Sequence, residues 1–431
     1  MAQRNSIEVR RVLSSVISPS QLAHSARETG FIQRSRKIEP VAFFWTLVLG
    51  FGAGAEKSLA SLRRCYGLYT GSTLAPSAFY DRFTPALVQW LQYILLEVLQ
   101  KSAEPARALG GRLASFIDLM AIDGTVLRLH DWLEGVYPAC RTNHTKAAAK
   151  LTVVMSVTGK GAHSVQLCAE RRNDSKILHV GPWVKDRLLL FDLGYYGYRL
   201  FKSIGRYGGY FVTRLKVNAN PTIVSILNGT KADASLEGLP LQTVLGRLRR
   251  PTLDAIVRVR YKNKRGRWVH AEFRLVALRN RETNKYHLYI TNVPAERLSA
   301  EDIGKTYAVR WEIEILFRQL KSQFRLDQLP SASQDVVHAL LYATLLTLAV
   351  SRAFLAALRR RCPSLAPRMP AERFATIFAT LAQPLLALIL VSRRRSKRRQ
   401  SDIVTVMLHE AIDPNRTRAG GLLAALEGLP V

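Results

Sequence analysis

Three carboxylates and a run of four polar side chains carry the chemistry this sequence can do. Asp123 closes the apolar stretch Phe116–Ile122 in Ala121-Ile122-Asp123-Gly124-Thr125, and Asp192 closes Leu188–Phe191 in Leu190-Phe191-Asp192-Leu193-Gly194-Tyr195. An aspartate followed within two residues by glycine is commonly an Asx turn at a strand end. Further along, Thr306–Lys321 holds Tyr307, Arg310, Glu314 and Lys321 at offsets of 0, 3, 7 and 14 residues. At about 3.6 residues per turn these offsets return to within about 60° of one another, so one straight helix would present all four on one face. A phenol, a guanidinium, a carboxylate and an ammonium on one stripe are the groups needed to hold a metal beside a phosphate. The competing reading is a solvated helix on which Arg310–Glu314 is an ordinary i,i+4 ion pair, facing water with Lys305, Glu312 and Arg318.

Taken together, the carboxylates favour the first reading. Two strand-end aspartates facing a helix-borne glutamate give an oxygen-only pocket suited to Mg²⁺ or Mn²⁺. Two such ions roughly 3.5–4 Å apart activate a water or a 3′-hydroxyl and stabilise the leaving oxygen in an in-line attack on phosphorus. The sequence has no glycine-rich loop ending in Lys-Ser or Lys-Thr, so nucleotide hydrolysis is not the driver.

The chain that must position these groups has 431 residues, 48% of them hydrophobic, with 63 Lys+Arg against 32 Asp+Glu and a net charge of +31. This composition excludes intrinsic disorder and a fibrous repeat, and the length allows two or three domains. Cys65, Cys140, Cys168 and Cys362 are scattered without a C-x-x-C pair, which supports neither a disulfide framework nor a zinc ribbon. Met1–Arg11 has no basic segment leading into an apolar one, so no secretory signal is expected. Val41–Ala55 and Ala339–Val350 are apolar but shorter than the ~18–20 residues that cross a bilayer, and read as core helices. The positive excess points to a polyanion, nucleic acid rather than membrane.

Residues 1–110 read as helical. Ser58–Tyr66, the turn Gly67–Gly71 and Ser77–Phe83 resemble a helix-turn-helix-like reader in which Ser77, Tyr80 and Arg82 would touch DNA, against a plain packing role. Residues 111–214 hold the strand candidates Phe116–Ile122, Leu151–Val157, Ser164–Ala169, Leu188–Asp192 and Tyr210–Arg214, with a helix at Tyr198–Tyr207, an α/β pattern. Residues 215–298 alternate as an inserted antiparallel meander of Asp254–Tyr261, Val269–Ala277 and Tyr286–Val293, with a turn at Asn263–Gly266. Residues 299–390 are helical again, with Ala300–Phe324 carrying Glu314 and then Val336–Leu358. A basic tail, 391–431, contains the run Arg393–Arg399, read either as a nonspecific DNA contact or as solvated charge.

With these residues in place, the chain resembles the DDE transposases of bacterial insertion sequences, in the subgroup with the Y-R-E-K signature. The resemblance rests on Asp123, Asp192 and Glu314, on Tyr307-x-x-Arg310-x-x-x-Glu314-x-x-x-x-x-x-Lys321, on Arg310-Trp311 and on Asp192-Leu193-Gly194-Tyr195, and it covers about half the chain. It implies an RNase H-like catalytic core with an antiparallel β insertion and an N-terminal helical domain that binds DNA ends. It further implies Mg²⁺ dependence with Mn²⁺ as a substitute and two ions, and cut-and-paste transposition. The implied partners are double-stranded DNA, as terminal inverted repeats and target, and a second copy of the chain in a homodimer. A cytoplasmic, nucleoid-associated location follows, with no membrane. By the same resemblance Asp123, Asp192 and Glu314 ligate metal, and Tyr307, Arg310 and Lys321 contact phosphates near the scissile bond. Trp311 is a candidate wedge and Arg318 a further DNA contact. Trp268, Tyr286 and Tyr289 are candidates to stack on a flipped base.

The cations therefore divide among the Glu314 helix (Arg310, Arg318, Lys321), the insertion (Arg258, Arg260, Arg274) and the Arg393–Arg399 run. The alternatives are a transposon-derived DNA-binding protein without catalysis and an RNase H-fold nuclease or resolvase. Neither calls for the whole set of three carboxylates, Y-R-E-K helix and long insertion.

Overall fold

A computed structural model of the chain describes residues 8–34, 38–56, 58–102, 108–140, 145–159, 161–329, 331–390, 396–415 and 426–427. Its centre is a nine-stranded sheet: β1 Leu119–Arg128, β2 Ala148–Ser156, β3 Gly161–Ala169, β4 Leu188–Phe191, β5 Tyr210–Arg214, β6 Thr222–Ile226, β7 Thr252–Lys262, β8 Trp268–Arg279 and β9 Tyr286–Thr291. The order is β3-β2-β1-β4-β5-β9-β8-β7-β6. β1 runs parallel to β4, and β4 to β5; the other pairs are antiparallel. The fold is mixed α/β.

Leu119–Ile122 and Leu188–Phe191 are buried on both faces, which is why they read as unbroken apolar runs. Leu119, Ala121, Leu188 and Leu190 face one core, and Met120, Ile122, Leu189 and Phe191 face the other. The meander residues lengthen this same sheet instead of forming a layer of their own, because β9 pairs with β5 from Val212↔Thr291 to Arg214↔Tyr289.

The helices before the sheet are α1 Val9–Val16, α2 Pro19–Glu28, α3 Pro40–Trp45 running into a π-helical turn Thr46–Gly52, α4 Leu59–Thr70, α5 Pro76–Tyr80 and α6 Pro85–Ser102. Within the sheet region lie α7 Tyr198–Arg206 and α8 Leu241–Arg247, and after it come α9 Ala300–Ala308, α10 Trp311–Arg318 and α11 Gln334–Arg361. The chain continues through α12 Ala371–Thr380, α13 Ala382–Leu390 and α14 Ser396–Ala411. In the helix-turn-helix-like segment, Gly71 takes the left-handed turn at φ 70° and α5 has five residues, with Phe79 buried. Of the basic run, Arg393–Arg395 lies outside the described residues, and Ser396–Arg399 opens α14.

Helices from both ends share one core. α11 packs on α1, α6 and the π-helical turn, where Thr347 Oγ1 donates to the Val48 carbonyl at 2.6 Å. Gly52 permits this approach, since a Cβ there would lie 2.1 Å from Thr347 Oγ1 and 2.8 Å from the Ala343 carbonyl oxygen. α11 is longer than the apolar stretch read from sequence. With 28 residues it is long and apolar enough to cross a membrane, but 72% of its most apolar window is buried inside the protein. The pair α12 and α13, bent by 58°, passes the same test together.

Candidate active site

Asp123 and Asp192 stand side by side at the end of the parallel β1–β4 pair. The pairing stops at Ile122↔Phe191, one residue before each aspartate. β4 ends there, but β1 does not. It continues to Arg128 paired only with β2, with Asp123 opposite Val153, so Asp123 is a mid-strand residue and not a strand terminus. Asp192 stands at the start of a short 3₁₀ turn, Leu193–Tyr195, without a side-chain capping bond. The alternation along both strands turns each aspartate toward the face that α10 covers.

Tyr307, Arg310, Glu314 and Lys321 do not lie on one straight helix. Ser299 caps α9 by accepting from the Asp302 amide at 3.2 Å, and α9 ends at Ala308. From Val309 to Ile313 the backbone bonds tighten to i→i−3, as in Arg310 N to Tyr307 O at 3.0 Å and Ile313 N to Arg310 O at 3.1 Å. α10 follows, and Gln319–Gln323 then widens into a π turn. No proline or glycine marks either irregularity.

The stripe nevertheless survives as a line of contacts along β1. Arg310 Nη1 donates to Asp123 Oδ2 at 3.0 Å and Nη2 to Glu314 Oε1 at 2.5 Å. Lys321 Nζ donates to the Val126 carbonyl at 3.2 Å. The Arg310–Glu314 pair is thus half-buried against the sheet and does not face water. Tyr307 is buried, its ring 5.3 Å from that of Tyr289, and the guanidinium carbons of Arg214 and Arg310 lie 5.7 Å and 5.8 Å from its centre.

Electrostatics tie the group together. Burial raises the Asp123 pKa, and neighbouring Asp192 and Glu314 raise it further; the Gly124 amide, at 2.7 Å from Oδ1, and Arg310 oppose the shift. Burial also raises the Tyr307 phenol, against Arg310 and with Asp192. Arg310 itself is held above its ordinary value: burial works against its charge, but Tyr307, the Glu314 hydrogen bond and Asp123 outweigh it.

The other expected residues are placed differently. Trp311 is 54% exposed, while Arg318 turns away to Glu372 at 3.1 Å, an exposed pair. Arg274, expected among the DNA-facing cations, is buried and bidentate to Asp254 at 2.8 and 2.6 Å. Its charge is internal because Asp254 lies across the β7–β8 pair. Arg258 pairs with Glu272 at 2.7 Å. Of the three aromatics expected to stack on a base, Tyr289 is buried and Tyr286 donates to the Arg250 carbonyl at 2.6 Å, whereas Trp268 is 55% exposed. Arg214, at the end of β5, joins the site without having been expected. The only sequence signal for it is a cation at the end of an apolar strand next to the one that Asp192 closes.

The donor set fits a hard divalent cation in kind, being oxygen-only and anionic. In position the carboxylates are parted: among the described residues no three His, Cys, Asp or Glu side chains stand close enough to hold a metal ion. The Arg310 guanidinium occupies the gap between Asp123 and Glu314 and supplies the positive charge there.

Residues 114–350, more than half of the chain, match the family described as transposase DDE domain. Among curated proteins, the transposase for insertion sequence element IS231F of Bacillus thuringiensis subsp. israelensis is 23% identical over 371 residues, covering 78% of this chain and 77% of that protein. The transposase for insertion sequence element IS421 of Escherichia coli is 25% identical over 357 residues, covering 78% and 90%. That for IS1151 of Clostridium perfringens is 22% identical over 358 residues, covering 76% of each. The match spans β1 with Asp123, β4 and the Asp192 that follows it, and α10 with Glu314, and members of this family generally use divalent metal ions. The chain belongs to the DDE transposase family of bacterial insertion sequences.

Proposed function

We propose that the protein cleaves and rejoins DNA at the ends of an insertion sequence, by cut-and-paste transposition, with Asp123, Asp192 and Glu314 as its catalytic and metal-binding carboxylates. The observation that carries this reading is the shared guanidinium: Arg310 joins Asp123 to Glu314, beside Asp192 just past the end of the neighbouring strand. A half-buried guanidinium between carboxylates marks a place built for positive charge.

Strands β3-β2-β1-β4-β5 form the RNase H-like core in this reading, with 215–298 as its β insertion and 299–390 as its helical remainder. Residues 1–110 bind the terminal inverted repeats, and 391–431 add nonspecific affinity. The three carboxylates would hold Mg²⁺, with Mn²⁺ as a substitute and two ions, which supply nucleophile activation and leaving-oxygen stabilisation at phosphorus. Arg310, displaced from between the carboxylates, is then free to meet a phosphate, with Lys321 further along β1 and Tyr307 on its other side, against Arg214 and Tyr289. Trp311 presents its indole to the duplex, and Arg318 exchanges its exposed carboxylate partner for phosphate at small cost. Two copies of the chain act on paired ends, in the bacterial cytoplasm at the nucleoid.

Asp192→Asn and Glu314→Gln test this assignment. Each should bind end DNA with near-unchanged affinity and lose metal-dependent nicking. Nicking retained by either variant refutes the site. Terminal inverted repeats bounded by short direct repeats around the gene would separate a transposase from a resolvase or a repressor.

A further inference from the structure

Among the described residues the Asp192 carboxylate accepts no hydrogen bond, whereas Asp123 has the Gly124 amide and Arg310, and Glu314 has Arg310. Where Asp192 stands is therefore set by the backbone of the turn that follows it, in which the Tyr195 amide donates to the Asp192 carbonyl at 3.1 Å. What fixes that turn lies on the face of the sheet opposite α10.

Two residues that the carboxylate chemistry does not use meet the turn there. Lys150 of β2 donates from Nζ to Asp174 Oδ1 at 2.8 Å and to the Arg172 carbonyl at 3.1 Å. Only 15% of the lysine side chain and 26% of the aspartate side chain are exposed, so this charge-assisted bond holds the carboxylate in place. Its other oxygen stands against the turn: a Cβ on Gly194 would lie 2.7 Å from Asp174 Oδ2. Gly194 does not take the left-handed backbone that favours glycine, so the residue is small there to admit the carboxylate and not to bend the chain. The next residue, Tyr195, is buried, and its hydroxyl reaches beneath Gly124, 3.5 Å from where a Cβ on that glycine would sit. Lys150 Cγ lies 3.6 Å from the same point. Gly124 follows Asp123, so one lysine side chain backs the segments that carry both aspartates.

We propose that Asp174 is a positioning residue for Asp192. Anchored by Lys150, it seats Gly194 from behind the sheet and so sets where the Asp192 carboxylate stands beside Asp123. It acts through the turn and touches neither metal nor DNA. The inference rests on Asp192 as a metal-binding carboxylate, and Asp192→Asn is measured alongside so that the two can fail separately.

The test titrates the full chain, without DNA, with Mn²⁺ and follows the electron paramagnetic resonance of the free ion. Nicking of a duplex carrying the element's end is then measured across the same Mn²⁺ range. Losing a group that orients a metal ligand costs about tenfold or more in affinity, so Asp174→Ala should raise the Mn²⁺ dissociation constant by roughly that factor. Half-maximal nicking should need correspondingly more Mn²⁺, and the rate at saturating Mn²⁺ should return close to that of the parent. Gly194→Ala, whose Cβ displaces the carboxylate, should shift the constant the same way. Asp174→Ala/Gly194→Ala should bind no more weakly than Asp174→Ala, because both changes act through one contact. Lys150→Arg, which keeps a cationic donor, should stay nearer the parent than Lys150→Met. Melting temperatures establish that the variants are folded, and Gly194→Ala leaves both members of the ion pair in the chain. A parent-like dissociation constant in both folded single variants overturns the proposal, as does a double variant in which the two losses add. Nicking that saturating Mn²⁺ does not restore also overturns it, since a positioning residue has no chemical step of its own. Parent-like Mn²⁺ binding by Asp192→Asn refutes the carboxylate assignment and this inference with it; weakened binding there beside unaffected Asp174 variants refutes the inference alone.

Discussion

The guanidinium of Arg310 reaches the carboxylate of Asp123, 187 residues earlier in the chain, at 3.0 Å. The same guanidinium holds Glu314, so a single side chain neutralises two of the three carboxylates from different elements. Arg310→Ala removes the cation from both half-buried carboxylates and leaves Asp123 only the Gly124 amide, which should cost about 1–3 kcal/mol of stability. A divalent cation should restore more of this loss than it adds to the parent protein, because it enters a site no longer blocked. Thermal melting with and without Mn²⁺ measures both, and equal shifts in the two proteins would refute the displacement.

Among the described residues, Lys321 hydrogen-bonds a backbone carbonyl, that of Val126, and no side chain. Its ammonium can leave that contact for a phosphate at little cost. Lys321→Ala should therefore weaken duplex binding and reduce the salt slope by about one, with stability within about 0.5 kcal/mol of the parent. An unchanged slope would show that Lys321 does not reach phosphate.

Arg274 has a structural role. Besides Asp254 it donates to the carbonyls of Val293 and Leu298 at 3.1 and 2.8 Å, fixing the segment that leads into α9 and hence Tyr307. Arg274→Met alone strands a buried carboxylate and should cost about 3–5 kcal/mol in chemical denaturation. Asp254→Leu/Arg274→Met should recover most of that loss. A double variant no more stable than the single one would contradict this account.

His338 on α11 hydrogen-bonds the Tyr137 hydroxyl. Burial lowers its pKa below the ordinary 6.5, with Asp335 opposing weakly. The folded protein thus binds this proton less readily than the unfolded chain, so the stability is complete above pH 6.5 and declines as the pH falls through the folded value. Melting temperature should drop with acidification in that window, and His338→Asn should flatten the drop. A parallel pH profile in the variant would dismiss His338 as its source.

What the sequence disclosed follows from how each signal arises. β4 was readable to within a residue because burial on both faces makes an unbroken apolar run, and β5 because Tyr210, Phe211 and Val212 form a short one before Thr213 and Arg214. Gly124–Arg128 was not assigned to β1, since those residues pair on one side only and include polar side chains. β6 is held by pairing with β7 and has little pattern of its own. The three carboxylates were visible because aspartates stood at the ends of apolar runs and a glutamate at helical spacing from Arg310. The tightening at Val309–Ile313 and the burial of Arg274 were not, because each depends on partners that only the folded chain supplies: the surface of β1 in one case, and Asp254 in the other.

The common core of α11 with α1, α6 and the Thr46–Gly52 turn has a kinetic consequence. The apolar faces of the first helices find their partner about three hundred residues later, so a growing chain carries them uncovered through most of its synthesis. High separation between contacting residues slows folding and prolongs exposure to aggregation. Synthesis of the active protein should therefore be sensitive to chaperone supply and to temperature, and freshly completed molecules should be scarce relative to translated chains.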